Sequence, residues 1–438
     1  MIALHDSDPE IYDVVGIGFG PANLSLAIAL QESPEPLSSA FFERQPALSW
    51  HRGMLVPNAK MQVSFLKDLV TFRSPASTFS FVSFLHDTGR LARFVNNQDF
   101  FPTRREFHAY LQWAEARLAR PVTYNTEVAG VRLPAHGGPA LLELRDPARP
   151  AVTRTVAART IVISTGLVPR MPAGVEPDER VWHSSQFLPS FRRYEGPLRR
   201  VAVVGAGQSA AEIVRFLHDA LPDADVFAIM PAYGYAIADN TPFANQVFDP
   251  SAVDDYYHGS QRAKDAFWHY HRNTNYAVVD DEVLRELYQR AYDDEVAGRQ
   301  RLHFVNLARV IDVKRLSGGP SGDTRITVHS LSSEESYPLD VDVLVCATGY
   351  DPMNPADLLG DLGECVVRDE AGQCRVDRDY RLVTTADLPC DIYLQGGTEH
   401  THGLSSSLLS NIATRSGEIA QSITARRAAA RRSEGVRA

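Results

Sequence analysis

The chain has 438 residues, a length that predicts two or three domains at about 150 residues per domain. Lysine and arginine number 44 and aspartate and glutamate 54, so the formal net charge is −10, which argues against general nucleic-acid binding. Hydrophobic residues at 44% and charged residues at 22% are typical of a folded, soluble protein rather than a disordered one.

The cysteines and the N-terminus indicate a protein of a reducing compartment. The cysteines form no Cys-x-x-Cys pair and have no histidine partner at zinc-site spacing, so we expect no metal site; they are Cys346, Cys365, Cys374 and Cys390. The first residues, MIALHDSDPEIYD, lack the basic and apolar regions of a signal peptide. No segment approaches the ~20 apolar residues of a spanning helix. We therefore expect a cytoplasmic protein with no membrane partner.

The first predicted strand runs from Tyr12 to Val15 and ends in a glycine-rich turn. The turn reads Gly16-Ile-Gly18-Phe-Gly20-Pro21-Ala-Asn23, and the stretch Leu24 to Leu30 predicts a helix after it. Strand, glycine turn and helix together predict a Rossmann unit. Pro21 stands where the fingerprint has its third glycine, so the backbone amides at Gly18 and Gly20 are the expected contacts to a pyrophosphate.

The next short strand, Ala40 to Phe42, ends at Glu43, which follows Gly16 by 27 positions. A carboxylate at the end of this strand can accept hydrogen bonds from the ribose of a dinucleotide. The sequence therefore predicts a ribose contact at Glu43. The alternative is that Glu43 is a surface residue at a strand end.

A second, independent turn follows the strand Arg200 to Val204. It reads Gly205-Ala-Gly207-Gln208-Ser209-Ala210 and opens the helical stretch Ala211 to Leu217. The strand after it, Asp225 to Ile229, ends in Met230-Pro231 and carries no acid that would repel a 2′-phosphate, so NADPH is allowed. No arginine stands there to bind that phosphate, and a preference over NADH cannot be read from the strand end. The remaining alternative is that one of the two turns is a degenerate relic.

Two dinucleotide turns in one chain are typical of a flavoprotein that takes a hydride from a nicotinamide. A disulfide reductase would need a reactive cysteine pair beside the flavin. The sequence has no such pair, so oxygen is the expected electron acceptor.

The turns also predict an α/β fold with two Rossmann-like dinucleotide-binding domains, the second inserted in the first. The apolar strand Val341 to Cys346, which leads into Ala347-Thr348-Gly349, falls in the first domain in this division. The expected segments are 1–195 (FAD-binding domain, first part), 196–330 (NADPH-binding domain, with a small, mainly helical substrate region at about 235–300), 331–420 (FAD-binding domain, second part) and 421–438 (a basic, disordered tail).

Several strings, most of them without a generic Rossmann role, point to one family. They are Gly16-Ile-Gly-Phe-Gly-Pro-Ala-Asn-Leu24, Met61-Gln-Val-Ser-Phe-Leu-Lys-Asp68, Asn240-Thr-Pro-Phe-Ala-Asn-Gln-Val-Phe248, Thr274-Asn-Tyr-Ala-Val-Val279, Ala347-Thr-Gly-Tyr350 and His402-Gly-Leu-Ser405. In this order the chain resembles the flavin-dependent N-hydroxylating monooxygenases of siderophore biosynthesis, the L-ornithine N5- and L-lysine N6-monooxygenases.

The resemblance implies roles around a flavin and an amino-acid substrate. Gln62 is expected over the flavin as a catalytic residue. Lys67 is expected to bind the substrate carboxylate, which a compact ammonium suits; otherwise it is a surface lysine paired with Asp68. Asn245 and Asn275 are expected at the substrate backbone and amine, Asn275 with a catalytic role, because neutral amides accept from an amine without holding it as an ammonium. The alternative for each asparagine is a turn or cap residue.

Further family positions are assigned to the cofactors. Trp50 and His51 are expected near the flavin ring, or else as ordinary core and rim residues. Family members place an arginine just after the second strand of the NADP domain, where this chain has Met230-Pro-Ala232. Either another residue binds the 2′-phosphate or NADH is tolerated. The remaining cofactor residues are Gly16, Gly18, Gly20, Pro21, Glu43, Gly205, Gly207, Gln208, Ser209, Thr348, Gly349 and Ser405, and Leu404 and Ser406 are expected at the substrate.

The implied reaction is NADPH- and O2-dependent hydroxylation of L-ornithine to N5-hydroxy-L-ornithine through a C4a-hydroperoxyflavin. Ornithine is favoured because the 240–247 string and the 402–405 loop look closer to ornithine enzymes. L-lysine N6-hydroxylation is the runner-up, since the substrates differ by one methylene. A diamine N-monooxygenase, a Baeyer–Villiger-type enzyme sharing Trp182-His-Ser-Ser185, and a flavin-binding redox sensor are the other interpretations. The resemblance also implies a homo-oligomer, a tetramer.

Overall fold

The structure is a computed structural model that describes residues 9–120, 122–134, 138–316, 324–385 and 388–437. The first eight residues, part of the segment searched above for a signal peptide, and Ala438 of the predicted tail lie outside the described residues. None of the described helices combines the length and the apolar character that crossing a bilayer requires.

The described elements include both strands and helices in each domain. The strands are β1 (Ile11–Tyr12), β2 (Val14–Ile17), β3 (Ser39–Phe42), β4 (Glu127–Arg132), β5 (Ala140–Asp146), β6 (Arg149–Ala158), β7 (Thr160–Ile163), β8 (Leu167–Pro169), β9 (Val181–His183), β10 (Arg200–Val204), β11 (Asp225–Ile229), β12 (Ala236–Ile237), β13 (Val278–Val279), β14 (Leu302–Val305), β15 (Ala308–Arg315), β16 (Thr324–Ser330), β17 (Ser336–Val341), β18 (Val343–Cys346), β19 (Tyr350–Pro352) and β20 (Asp391–Leu394). The α-helices are α1 (Pro21–Gln31), α2 (Phe81–Asp87), α3 (Leu91–Asn96), α4 (Arg104–Glu115), α5 (Phe187–Arg193), α6 (Gln208–Ala220), α7 (Pro242–Asn245), α8 (Pro250–His258), α9 (Gln261–His271), α10 (Asp281–Val296), α11 (Ala356–Leu359), α12 (Glu399–His402) and α13 (Ile412–Arg437).

The first domain is built on a parallel sheet in the order β20-β7-β2-β3. Val14 of β2 faces a core shared with helices α1, α2, α4 and α13. Its neighbour Val15 faces the opposite side, where the sheet β1-β6-β5-β4 packs. Because successive strand residues point to opposite faces, a strand covered on both sides is apolar throughout, as β2 is.

The second domain repeats this plan with a five-stranded parallel sheet in the order β14-β11-β10-β18-β9. Val201 and Val203 of β10 face helices α6 and α10, whereas Ala202 and Val204 face the antiparallel sheet β15-β16-β17. Helices α7 to α10 occupy most of residues 242–296, where a helical region was predicted. The predicted fold class, an α/β chain with one Rossmann-like domain inserted in another, is confirmed.

The strand pairing moves the predicted domain boundaries. β18, predicted for the first domain, pairs in parallel with β10, Val201 lying opposite Val343, and β9 adds to its other edge. The second domain therefore takes in residues 181–183 and 336–346 as well as the described part of the predicted 196–330. The prediction was wrong because an apolar strand buried on both faces suits either sheet, and only long-range pairing decides which one it joins.

The predicted disordered tail is also wrong, because residues 421–437 continue helix α13. Ile419 and Ile423 of this helix are buried in the first core. Arg427 pairs with Asp13 (3.1 Å) and Arg426 with Asp391 (2.8 Å). Helix α13 therefore packs its isoleucines on the first domain, and the arginines that follow them pair with acids at the starts of β2 and β20.

The chain passes between the domains twice, and the two passages are paired. β8 leaves the first domain and β19 returns to it as an antiparallel pair, with Tyr350 opposite Pro169. The double connection lies at the ends of strands from both parallel sheets, which places the two glycine turns on the same cleft between the domains.

Candidate functional site

The first glycine turn leaves an open space at the start of α1. Gly18 has φ +79°, and a Cβ there would lie 2.5 Å from the Ser164 carbonyl oxygen, so this position requires glycine. Nothing lies within 4 Å of a Cβ placed on Gly20. The first turn of α1 receives no side-chain cap, and Pro21 occupies its first position. Uncapped N–H groups beside free space suit an anion such as a pyrophosphate.

Glu43 is fastened to this turn by its own carboxylate. Its Oε2 accepts from the Phe19 N–H (2.7 Å) and its Oε1 from the Gln45 N–H (2.8 Å). The side chain is half-buried, and each oxygen keeps a second lone pair for a ribose hydroxyl. Glu43 is therefore a bonded member of the turn rather than a freely solvated surface residue.

The second glycine turn has the same backbone device. Gly205 has φ +148°, and a Cβ there would lie 2.4 Å from the Ala347 carbonyl oxygen. Helix α6 begins after Gly207 without a side-chain cap, and Ser209 is half-buried in its first turn. This helix N-terminus is a second set of backbone donors facing the cleft.

The Gln208 side chain is already fully engaged. Its Nε2 donates to Glu212 Oε1 (2.9 Å) and Asp280 Oδ2 (3.0 Å), and its Oε1 accepts from the Asp280 N–H (2.9 Å). A glutamine amide has two donor hydrogens, and both are used here. Gln208 thus offers a phosphate its backbone N–H rather than its side chain.

Thr348 and Gly349 lie at the double connection between the domains. The Thr348 hydroxyl donates to the Arg170 carbonyl oxygen, and the Arg170 N–H donates to the Gly349 carbonyl oxygen (3.0 Å). Gly349 has φ +86°. Both residues hold the connection together, and contact with a cofactor stays a prediction.

Trp50 and His51 form an aromatic pair in the cleft. Their ring centroids lie 4.6 Å apart, edge to face, and Trp50 also packs at 5.7 Å on Phe107. His51 is accessible from the open cleft and has φ +48°. Desolvation by the surrounding protein, aided by the Arg104 charge, lowers the pKa of His51 to about 4. The imidazole is therefore neutral near pH 7.

Gln62 reaches from the first domain to the second. Its Nε2 donates to Asp280 Oδ1 at 3.2 Å, and Asp280 directly precedes α10. The Gln62 side chain is exposed in the cleft. The two predicted cofactor residues Gln62 and Gln208 thus meet at one carboxylate.

Lys67 does not pair with Asp68, so the surface-pair alternative is wrong. Asp68 is buried and accepts from the N–H groups of Val70 (2.9 Å), Thr71 (2.7 Å) and Phe81 (2.7 Å). Lys67 is half-buried, with Nζ 5.8 Å from the Phe248 ring centroid. Burial lowers the pKa of Lys67, and the Asp249 charge partly opposes this.

Leu404 is connected to this lysine through Phe248, and Asn245 stands three positions before that phenylalanine in the chain. Asn245 ends α7, and its Nδ2 donates to the Asn240 carbonyl oxygen (3.0 Å). This bond leaves the Asn245 Oδ1 as the acceptor for a substrate. Phe248 packs in one small apolar cluster with Val247 and Leu404. Phe248 therefore brings the predicted substrate residues Lys67 and Leu404, which are far apart in the chain, to one apolar wall.

Asn275 is held near the same wall by its neighbour. Tyr276 donates its hydroxyl to Glu399 Oε1 at 2.5 Å, and Glu399 begins α12, just before the 404–407 loop. Burial raises the pKa of Glu399, while hydrogen bonds from Tyr276 and Ser407 oppose the rise. This contact brings the half-buried Asn275 to the side of the cleft that carries Leu404.

The 404–407 loop is buried and held by a residue that the sequence analysis missed. Arg415 donates to the carbonyl oxygens of Ser405 (3.4 Å) and Ser406, and Asn411 donates to Ser405 Oγ (2.9 Å). The buried Ser406 hydroxyl has no hydrogen-bond partner in the part of the chain that the structure describes. A free buried hydroxyl is what a substrate contact would use.

The other missed residues are Asp280, Glu212 and Glu399. Asp280 directly follows the Thr274–Val279 string, and Glu399 stands three positions before His402. Proximity to these strings was the available signal. What each acid contacts depends on side chains from the other domain or from distant loops, which no local pattern reveals.

The chain is similar to several known proteins. A family model described as L-lysine 6-monooxygenase/L-ornithine 5-monooxygenase matches residues 10–352. The ornithine N-hydroxylase of Kutzneria sp. 744, solved with reduced FAD, NADP⁺ and L-ornithine, is 68% identical, with a TM-score of 0.92 over 95% of this chain and 100% of that one. The L-ornithine N(5)-monooxygenase of Burkholderia cepacia is 37% identical over 90% of both chains. The L-lysine 6-monooxygenase of Pseudomonas syringae is 30% identical, with a TM-score of 0.81 over 94% of this chain and 99% of that one.

Proposed function

Because the chain belongs to the L-lysine 6-monooxygenase/L-ornithine 5-monooxygenase family, we propose that it hydroxylates the side-chain amine of L-ornithine at N5 with FAD, NADPH and dioxygen. The observation that carries the proposal is Lys67, a half-buried cation that lies beside the Phe248 ring and forms no ion pair with a described residue, although the Asp249 charge acts on it from a greater distance. A cation in an apolar wall is stabilised by an anion from outside. The carboxylate of an amino acid supplies that anion.

The amine end of the substrate then meets the two asparagines. Asn245 and Asn275 accept hydrogen bonds through their amide oxygens and bring no charge. An amine of this type titrates near 10.4 in model peptides, so hydroxylation at neutral pH requires surroundings that favour the free base. Neutral amides and the apolar Leu404 and Phe248 do so, because a low-dielectric site disfavours the ammonium.

Ornithine is supported over lysine by the relatives. The hydroxylase at 68% identity is named for ornithine, whereas the lysine enzyme is 30% identical and a cadaverine monooxygenase of Erwinia amylovora 27%. One methylene is worth only about 1–3 kcal/mol of discrimination, so the assay compares all three substrates. Cadaverine has no carboxylate and would leave Lys67 unpaired.

The two domains receive FAD and NADPH respectively in this proposal. The uncapped start of α1, the open space at Gly20 and the fixed Glu43 fit the pyrophosphate and ribose of FAD. Gly205, Gly207 and the amides of Gln208 and Ser209 fit the phosphates of NADPH. When bound, FAD supplies the chemistry that side chains lack, using electrons from NADPH to activate dioxygen.

The protein's own contribution is placement and exclusion of water. Lys67 and the asparagines orient the amine, and the buried 404–407 loop, held by Arg415, closes the wall behind it. By resemblance to the family we also propose a homotetramer that works in the cytoplasm. Size-exclusion chromatography with light scattering, expected to give four chains, tests the assembly.

The proposal is tested by Lys67→Met. We expect KM for L-ornithine to rise on the order of 100-fold, the effect of losing one buried charge partner, with FAD content unchanged. Hydroxylamine formed from ornithine, lysine and cadaverine is measured in parallel. Lys314→Met, at a lysine paired with Asp312 on β15, is the control and should match the wild type. An equal loss of activity with cadaverine would remove the carboxylate role, and no hydroxylamine from any amine would overturn the function.

A further inference from the structure

We propose that Asp280 is a positioning residue that sets which end of the Gln62 amide faces the flavin site and joins that choice to the NADPH turn. The inference rests on the proposed function, because it takes FAD and NADPH as the cofactors. It concerns residues of both domains, and its evidence is a chain of hydrogen bonds from Arg104 through Glu212, Gln208 and Asp280 to Gln62.

Asp280 occupies a helix N-cap without capping its helix. It has the extended backbone of an N-cap residue before α10, yet its carboxylate makes no hydrogen bond to the first turn of α10. An aspartate in this position normally accepts from the first-turn N–H groups and stabilises the helix. Here the side chain turns away to Gln62 and Gln208, so the carboxylate serves the cleft instead.

The Gln208 amide has only one possible orientation. Its oxygen accepts from the Asp280 backbone N–H, and its nitrogen donates to both Glu212 and Asp280. Glu212 is in turn held by a buried, two-point contact with Arg104 (2.5 and 3.1 Å). Reversing the Gln208 amide would set donor against donor and acceptor against acceptor, so Asp280 Oδ2 always meets an N–H.

The Gln62 amide is oriented by the second carboxylate oxygen of Asp280, Oδ1. A carboxylate accepts and does not donate, so Gln62 turns its Nε2 to Asp280 Oδ1 (3.2 Å). Its Oε1 must then lie on the opposite side of the amide. Because Gln62 is exposed in the cleft and is expected over the flavin, Asp280 presents an acceptor, rather than a donor, to the cofactor.

Asp280→Asn is the direct test. Since Gln208 cannot turn, the introduced asparagine must give it the amide oxygen and face Gln62 with its NH2 group. Gln62 then reverses and presents an N–H to the flavin. We expect a shifted visible absorption band of the bound oxidised flavin and hydroxylation lowered on the order of 10-fold, with FAD content and the NADP⁺ dissociation constant within threefold of the wild type. The matched control is Glu282→Gln, which should leave the spectrum unchanged. Glu282 stands two positions after Asp280 and forms an exposed ion pair with Lys60.

The double variant Gln62→Glu with Asp280→Asn should restore the spectrum, since a carboxylate at position 62 accepts from the introduced asparagine amide and keeps an oxygen toward the flavin. In a Gln62→Leu background, Asp280→Asn should cause no further spectral shift. An unshifted spectrum in Asp280→Asn, or a double variant no nearer to the wild type, overturns the inference.

If Asp280→Asn does not fold, the single variant Gln62→Glu tests the inference. It places a second carboxylate beside that of Asp280, and the repulsion should lower its melting temperature several degrees below that of Gln62→Leu. Equal melting temperatures overturn the inference. A wild-type protein that binds no FAD would instead defeat the proposed function.

Discussion

The two glycine turns use the same backbone device but differ at the strand that comes next in the chain. In each turn, a glycine with positive φ lies against a carbonyl oxygen, that of Ser164 for Gly18 and that of Ala347 for Gly205. Each opens a helix without a side-chain cap. Four other described helices have a serine or threonine cap, as Thr103 is for α4, although α8 and α10 among others do not. Leaving the two turns uncapped keeps their N–H groups free for anions.

The difference lies at the end of that next strand. After the first turn, β3 is followed by Glu43, whose carboxylate is bonded to the turn itself. After the second, β11 is followed by the buried Met230 and the exposed Pro231. The backbone arrangement suited to a pyrophosphate is therefore present in both turns. The carboxylate that can recognise a ribose is present only in the first turn, at Glu43. The comparison predicts strict selection at the first turn and loose selection between NADPH and NADH at the second.

The largest expected effect comes from adding a methyl group at Gly18 or Gly205, the two glycines with positive φ in the turns. Gly18→Ala places a Cβ against the Ser164 carbonyl oxygen in a left-handed conformation that itself costs about 1–2 kcal/mol, so we expect protein with little bound FAD and a melting temperature about 5 °C lower or more. Gly205→Ala should keep FAD and weaken NADPH binding. FAD content, NADP⁺ titration and thermal melting measure both.

Gly20→Ala is the control for that pair. Gly20 has an ordinary φ of −95° and open space around its Cβ position, so the variant should melt like the wild type yet bind FAD less tightly, because the methyl enters space assigned to the cofactor. Normal FAD binding in Gly18→Ala would contradict the requirement for glycine at this turn. Normal FAD binding in Gly20→Ala would contradict the assignment of the space at Gly20 to the cofactor.

A smaller effect is expected from Glu43→Gln. A glutamine amide can accept from only one of the Phe19 and Gln45 N–H groups and sets its own NH2 against the other, a loss of about 1–3 kcal/mol. FAD affinity should fall on the order of 10-fold while the NADPH dissociation constant stays the same. Equal weakening of both cofactors would mean that the two turns are not independent.

The smallest effect is expected from Pro231→Arg, which supplies the second turn with the cation it lacks. Pro231 is exposed and has no N–H to lose, so the fold should tolerate the change. We expect the ratio of kcat/KM for NADPH over NADH to rise about fivefold, since an exposed charge contact contributes up to about 1 kcal/mol. Pro231→Gln is the uncharged control. An unchanged ratio would indicate that another residue already binds the 2′-phosphate.

Local patterns predicted the parts of the site that local backbone geometry creates. The two glycine turns and the short strand before Glu43 depend on residues a few positions apart, and the structure has each of them. The placement of Lys67 beside Phe248 could not be derived this way. Lys67 could either pair with Asp68 or remain available for a ligand, and the choice depends on which groups bind the Asp68 carboxylate. One of those groups is the N–H of Phe81, which is 13 positions away in the chain.

The amino-acid sequence by itself determined that this chain folds around two parallel sheets, each with a glycine turn, because strand propensity and φ preference act within short windows. Tertiary structure alone decided that β18 joins the second sheet, that the basic tail is a helix bound to Asp13, and that Asp280 meets Gln62 and Gln208. Each of these depends on pairing between residues far apart in the chain. Their energies come from burial and from hydrogen-bond partners that exist only after the domains pack.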